Sequence, residues 1–116
     1  MTNKSVWAPR EGGTLFIMSG PKGEHLHVIA FEAKTIKEYK GKQVLLLPLC
    51  SIRDNSKTYH DSACEISAGE HAFIKHASYI DYRNARIEAV DHLRALVNNG
   101  VCREGEPVTP VLLKRI

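Results

Sequence analysis

The sequence predicts one α+β domain: a β-rich N-terminal two-thirds closed by a C-terminal helix. Short runs rich in aromatic and β-branched residues, punctuated by Gly and Pro, fill most of the chain from Thr14 to Tyr82. From Glu88 the pattern changes. Ala89, Val90, Leu93, Leu96 and Val97 recur at helical spacing as far as Asn99. A length of 116 residues suits a single domain, 1–116, with a modest core.

Residues 1–12 are a loose lead-in, polar and without the apolar stretch of a secretory leader. Thr14-Leu15-Phe16-Ile17-Met18 has strand character, and His27-Val28-Ile29-Ala30-Phe31 supplies a second strand. Between them Ser19-Gly20-Pro21-Lys22-Gly23 is a turn, because Gly tolerates positive φ and Pro fixes its own; Lys22 stands at its tip. Glu32 to Lys42 is polar, with Lys34, Lys37, Lys40 and Lys42, and fits a short helix or a wide loop. Gln43 to Leu49 is the most apolar segment and reads as a strand covered on both faces. Pro48 has no N–H to donate, so the strand is expected to end or bulge there.

A polar loop, Ser51 to Asp61, precedes a short strand at Ala63 to Ile66. After a turn at Gly69, Ser78 to Ile87 fits a further strand, given Tyr79, Ile80 and Tyr82 together. Asn98-Asn99-Gly100 stops the 88–99 helix. Thr109-Pro110 has the form of an N-cap followed by Pro at the first helical position, so a short last helix spans 110–115.

The longest apolar run, Val44 to Cys50, is strand-sized, far short of a membrane helix, and no membrane role is expected. Three cysteines, Cys50, Cys64 and Cys102, without a CxxC pair or a secretory leader, point to reduced thiols in the cytoplasm. No cofactor and no metal is expected, since the Cys and His spacing fits no structural zinc pattern. The formal charge of +3 permits a polyanionic partner without demanding one. The charge is dispersed along the chain, and no run of five Lys or Arg forms a basic arm.

Leu26-His27-Val28-Ile29-Ala30, Val44 to Ser51 with its Pro48, and Ser78-Tyr79-Ile80-Asp81-Tyr82 through Arg86-Ile87 resemble strands of the PemK/MazF-like family. The resemblance spans residues 12–97 and implies a small SH3-like β-barrel with a C-terminal helix. It implies a homodimeric, metal-independent endoribonuclease of a toxin–antitoxin pair, acting on single-stranded RNA and held by an antitoxin protein. Such chemistry needs a base for the 2′-hydroxyl and cationic donors for the phosphorane charge. The resemblance puts Ser51, Arg53 and His27 in those catalytic roles. The sequence departs from the family where Glu24-His25 replaces Arg-Pro and where Cys50 takes the Thr position. Those departures open the alternative of a non-catalytic barrel module that binds a nucleic-acid or protein partner.

The stretch His71 to Tyr82 mixes basic and aromatic groups, as a nucleic-acid surface does. His71, Lys75 and His76 would meet phosphate, and Tyr79 would stack on a base. Arg86 would bind phosphate where the resemblance places a basic residue. The bland counterpart is an edge loop whose tyrosines pack on the core and whose charges are solvated. A nuclease is expected to gather Lys22, Arg53, Lys75 and Arg86 on one face of a concave groove.

Overall fold

Thr14–Met18 forms strand β1 and Glu24–Ile29 forms β2, paired antiparallel with Leu15 opposite His27. The computed structural model describes residues 7–18, 24–31, 33–51 and 63–116. Residues 19–23, where the turn with Lys22 was expected, and 52–62, Arg53 included, lie outside the described residues. β3, Lys34–Thr35, is brief and pairs with the start of β4, Lys42–Ser51. β5 (Glu65–Ile66) and β6 (Ser78–Ile80) follow, then a single 3-10 turn at Tyr82–Asn84. β7 (Arg86–Ala89) runs directly into helix α1 (Val90–Asn98). β8 (Arg103–Gly105) and helix α2 (Pro110–Arg115) complete the chain.

The α+β class holds, but the sheet is open where a closed SH3-like barrel was expected. Its hydrogen-bonded path runs β5-β6-β4-β2-β1-β8, with β3 and β7 also on β4. The two end strands, β5 and β8, do not pair with each other. The loop between β5 and β6 is held by other contacts instead. Phe73 meets Phe16 edge-on at 4.6 Å between centroids, and Arg115 of α2 bonds the Glu70 carboxylate and, at 2.7 Å, the carbonyl of Glu65.

β4 is the spine. One edge pairs with β2; the other pairs with β7 over residues 43–46 and with β6 over 49–51. It runs straight through Pro48 for a geometric reason. A strand residue's N and O point to the same side, and the Pro48 carbonyl accepts from Asp81 N at 2.9 Å. The missing N–H therefore faces Asp81, where it costs the second bond of that pair and leaves the β2 side of β4 intact, and β6 ends at Ile80.

The period of two along each strand sorts the side chains into two apolar layers. One holds Phe16, Leu26, Val28, Leu47, Leu49, Ile80 and, from α2, Leu112. The other holds Leu15, Ile17, Ile29, Val44 and Leu46 under α1, which contributes Val90 and Leu93. α1 begins at Val90 rather than Glu88, because Glu88 and Ala89 are captured by β4 as strand partners. It ends as expected at Gly100. That residue takes φ +75, while Gly100 N and Val101 N close back on the carbonyls of Val97 and Leu96.

β8 is the element the sequence does not announce. Arg103-Glu104-Gly105 has no apolar pattern, and its strand state comes from pairing with β1. Gly105 permits the approach, since a Cβ there would lie 2.7 Å from Thr14 Oγ1 and 2.8 Å from a Phe16 ring carbon. α2 is capped by Thr109, whose hydroxyl accepts from Leu112 N at 3.1 Å, with Pro110 at the first helical position. Among the described residues no helix is long and apolar enough to cross a membrane.

Candidate functional surface

The expected catalytic residues are not brought together among the described positions. His27 lies opposite Pro48 across the β2–β4 ladder, while Ser51 lies opposite Ser78. An offset of three residues along β4 is about 10 Å and puts Ser51 on the other side of the sheet from His27. Leu49, two residues before Ser51, belongs to the layer under α2; Leu46, two before Pro48, belongs to the layer under α1. Ser51 is exposed at the end of β4. Cys50 shares the face of His27, and its thiol is directed at Asp81 Oδ2, 4.0 Å away.

His27 is only 3% exposed. Its Nδ1 lies 2.9 Å from the His25 carbonyl, so Nδ1 carries the proton and donates. Burial drives its pKa down to about 4, with the positive charge of Arg86 adding to the same effect against the His25 bond. A neutral, enclosed imidazole with so low a pKa is poorly placed to accept a proton from a bound 2′-hydroxyl.

His71 is a structural pin. It is buried, with Nε2 donating to the Glu106 carbonyl at 2.5 Å and Nδ1 accepting from Phe73 N at 3.0 Å. Both ring nitrogens are used inside the chain. Tyr79 is 7% exposed, too enclosed to stack on a base. Burial and the neighbouring Cys50 thiol push its hydroxyl up to about 12. Lys75 and His76 are exposed, in the loop whose Ile74 enters the layer under α2. Arg86 is exposed on β7, opposite Leu46, and lies 3.3 Å from Glu88 Oε1. Lys75 and Arg86 therefore sit on different faces of the sheet rather than along one groove. Among the described residues no group of three His, Cys, Asp or Glu side chains could hold a metal ion.

A different surface collects what a polyanion needs. β3 and the start of β4 form a hairpin with its tip at residues 36–41. Lys34, Lys37, Lys40 and Lys42 against the single Glu38 leave residues 33–42 at +3, equal to the formal net charge of the whole chain. The residues outside this stretch sum to zero, with local excesses of either sign. All four lysines are exposed, and Tyr39 stands 49% exposed between Lys37 and Lys40. Lys34 Nζ rests 4.4 Å from the centre of the Phe31 ring, which holds that ammonium at the base of the hairpin.

The tip is preformed. Buried Gln43 donates from Nε2 to the carbonyls of Lys40 at 2.9 Å and Gly41 at 3.3 Å, and Tyr39 N closes a turn on Ile36 O at 3.1 Å. The third residue of that turn, Glu38, has φ +76, where Gly or Asn is usual. A Cβ in the left-handed region costs about 1–2 kcal/mol. Glu38→Gly should relieve that cost and lose about half of it again to the greater freedom of the unfolded chain. The expected net result is a rise in Tm of a few degrees in a thermal melt; a fall would mean that the Glu38 side chain holds the turn.

The sequence shows the lysines at 34–42, but not that a hairpin presents them together with Tyr39. Comparison with family models, with curated proteins and with solved structures gives no match, so the functional reading rests on the geometry.

Proposed function

We propose that the chain is a non-catalytic binding module, of the PemK/MazF-like kind its strands resemble, that holds single-stranded RNA at the 33–42 hairpin. The observation that carries this reading is four exposed lysines, net +3 over residues 33–42, beside an exposed tyrosine on one preorganised tip. Lysines neutralise phosphates and release counterions, while an aromatic ring offers a sequence-tolerant stacking face to unpaired bases. The separation of His27 from Ser51, and the enclosure of His27, weigh against cleavage and favour retention of the bound strand.

The reading is tested with a fluorescein-labelled RNA of mixed sequence, followed by anisotropy and then by denaturing gel. Salt-sensitive binding with the RNA left full-length is the expected result. Shortened RNA, together with growth arrest on induced expression that Ser51→Ala relieves, would restore the endoribonuclease toxin and its antitoxin partner instead. Absence of any binding at low salt would remove the RNA reading.

A further inference from the structure

We propose that the outer edge of β7 is a self-association site, where a second copy of the chain adds its own β7 antiparallel about a two-fold axis at Ile87. β7 pairs with β4 on one side, and among the described residues no strand pairs with its other side. The alternation along β4 fixes which groups face out. Leu45 O accepts from Ala30 N on the β2 side, and Pro48 O accepts from Asp81 N on the opposite side. Val44 and Leu46, in phase with Pro48, therefore turn their N and O toward β7. Their partners there are Glu88 and Arg86, whose backbone groups are spent on β4. Ile87 N–H and C=O point outward, and so does Ala89 N–H. Ala85, extended just before β7 with φ −59 and ψ 142, continues the alternation with its C=O. None of these outward groups has a hydrogen bond among the described residues.

The order of residues along the edge selects a second copy as the occupant. A two-fold antiparallel pair centred on Ile87 sets Ile87 opposite the partner's Ile87, Arg86 opposite the partner's Glu88 and Ala85 opposite the partner's Ala89. Backbone groups then match. The two Ile87 residues exchange N–H and C=O bonds, and each Ala89 N–H meets the partner's Ala85 C=O. The groups this ladder leaves out are Ala85 N–H, already bonded to Tyr82 O, and Ala89 C=O, which opens α1. Side chains match as well. Arg86 and Glu88 stand on one face of β7, 3.3 Å apart and both partly exposed, and each would meet the opposite charge directly across the new pair. Ile87, 37% exposed, would cover its own copy. The adjacent registers that keep the same faces set Arg86 on Arg86 or Glu88 on Glu88, and like charges directly opposite repel. Edge strands ordinarily carry charges that discourage self-pairing; the order Arg-Ile-Glu admits it in one register. A strand this short makes a weak, concentration-dependent dimer. The lysine hairpin lies across β4, on its β3 side, so the site is separate from the proposed RNA surface.

Sedimentation velocity of the intact chain over a range of concentrations is the test, with no RNA present. The expected result is a monomer that passes into a dimer as concentration rises. Ile87→Pro removes an N–H that holds no bond inside the chain. It should raise the dimer dissociation constant at least about tenfold while the thermal melt stays within a few degrees of wild type. Arg86→Glu and Glu88→Arg each set like charges opposite one another and should each be monomeric alone. An equimolar mixture of these two variants should dimerise again, because each supplies the charge that the other lacks. A wild-type monomer at every concentration would overturn the proposal. So would a dimer that Ile87→Pro and both charge variants leave intact, or a mixture of the charge variants that stays monomeric.

Discussion

Replacing Lys37, Lys40 and Lys42 together with glutamine is expected to weaken single-stranded RNA binding by at least about tenfold at low salt and to flatten its salt dependence. For a single strand each neutralised phosphate contributes roughly −0.7 to the slope of log affinity against log salt. Removing three contacts should flatten that slope by about 2. The fold should be untouched, because all three side chains are exposed and the turn is held by Gln43 and by backbone bonds. Tyr39→Ala tests the other half of the surface. Loss of one base stack costs about 1–3 kcal/mol, and it should leave the salt slope where it was. Lys75→Gln and Arg86→Gln serve as controls, since neither belongs to the hairpin. An equal loss from these controls would show that affinity comes from diffuse charge and would remove the hairpin as the site.

The second large effect concerns stability and pH. His27 has a folded pKa of about 4 against an ordinary value of 6.5. The unfolded chain therefore binds a proton there between those values that the folded chain refuses. Stability from this residue is fully present above about pH 6.5 and is lost as pH falls toward 4. The difference amounts to about 3 kcal/mol, a large share of the stability of a domain this size. Denaturant titrations between neutral pH and pH 4 should show the decline. His27→Gln should flatten it, whatever that change does to stability at neutral pH. A decline of the same steepness in His27→Gln would place the sensitivity in other groups.

The same residue shows how far sequence carries. Local chemistry was legible: Thr109-Pro110 marks α2, Asn99-Gly100 marks the end of α1, and Thr14 to Met18 is β1 residue for residue. These signals are properties of neighbouring residues. Pairing is not. β4 overruns Pro48 because the missing N–H faces Asp81 and leaves the β2 side intact, and β8 exists because β1 offers an edge to three residues with no strand pattern of their own. Tyr82 sits in a 3-10 turn between β6 and β7, where one continuous strand was expected, because Pro48 has no N–H for the Asp81 carbonyl and the β4–β6 ladder stops there.

Site chemistry followed the same division. Polar residue types mark candidates, but only the fold decides which are used internally. His71 spends both nitrogens on the Glu106 carbonyl and the Phe73 amide, and Tyr79 lies in a three-residue strand buried throughout. Phe73, the exposed aromatic of the same stretch, carries no polar label. The lysine hairpin needed both levels: its charge is written in the sequence, while its rigidity depends on a buried glutamine reaching back to two carbonyls.

Ultraviolet crosslinking of thiouridine-labelled single-stranded RNA to the intact chain, with the modified residues mapped by mass spectrometry, tests the central claim most directly. Crosslinks concentrated within residues 33–42, with Tyr39 foremost and the RNA recovered at full length, are the predicted result. Crosslinks at Ser51 or His76 with the hairpin unmodified, or recovery of cut RNA, would contradict it.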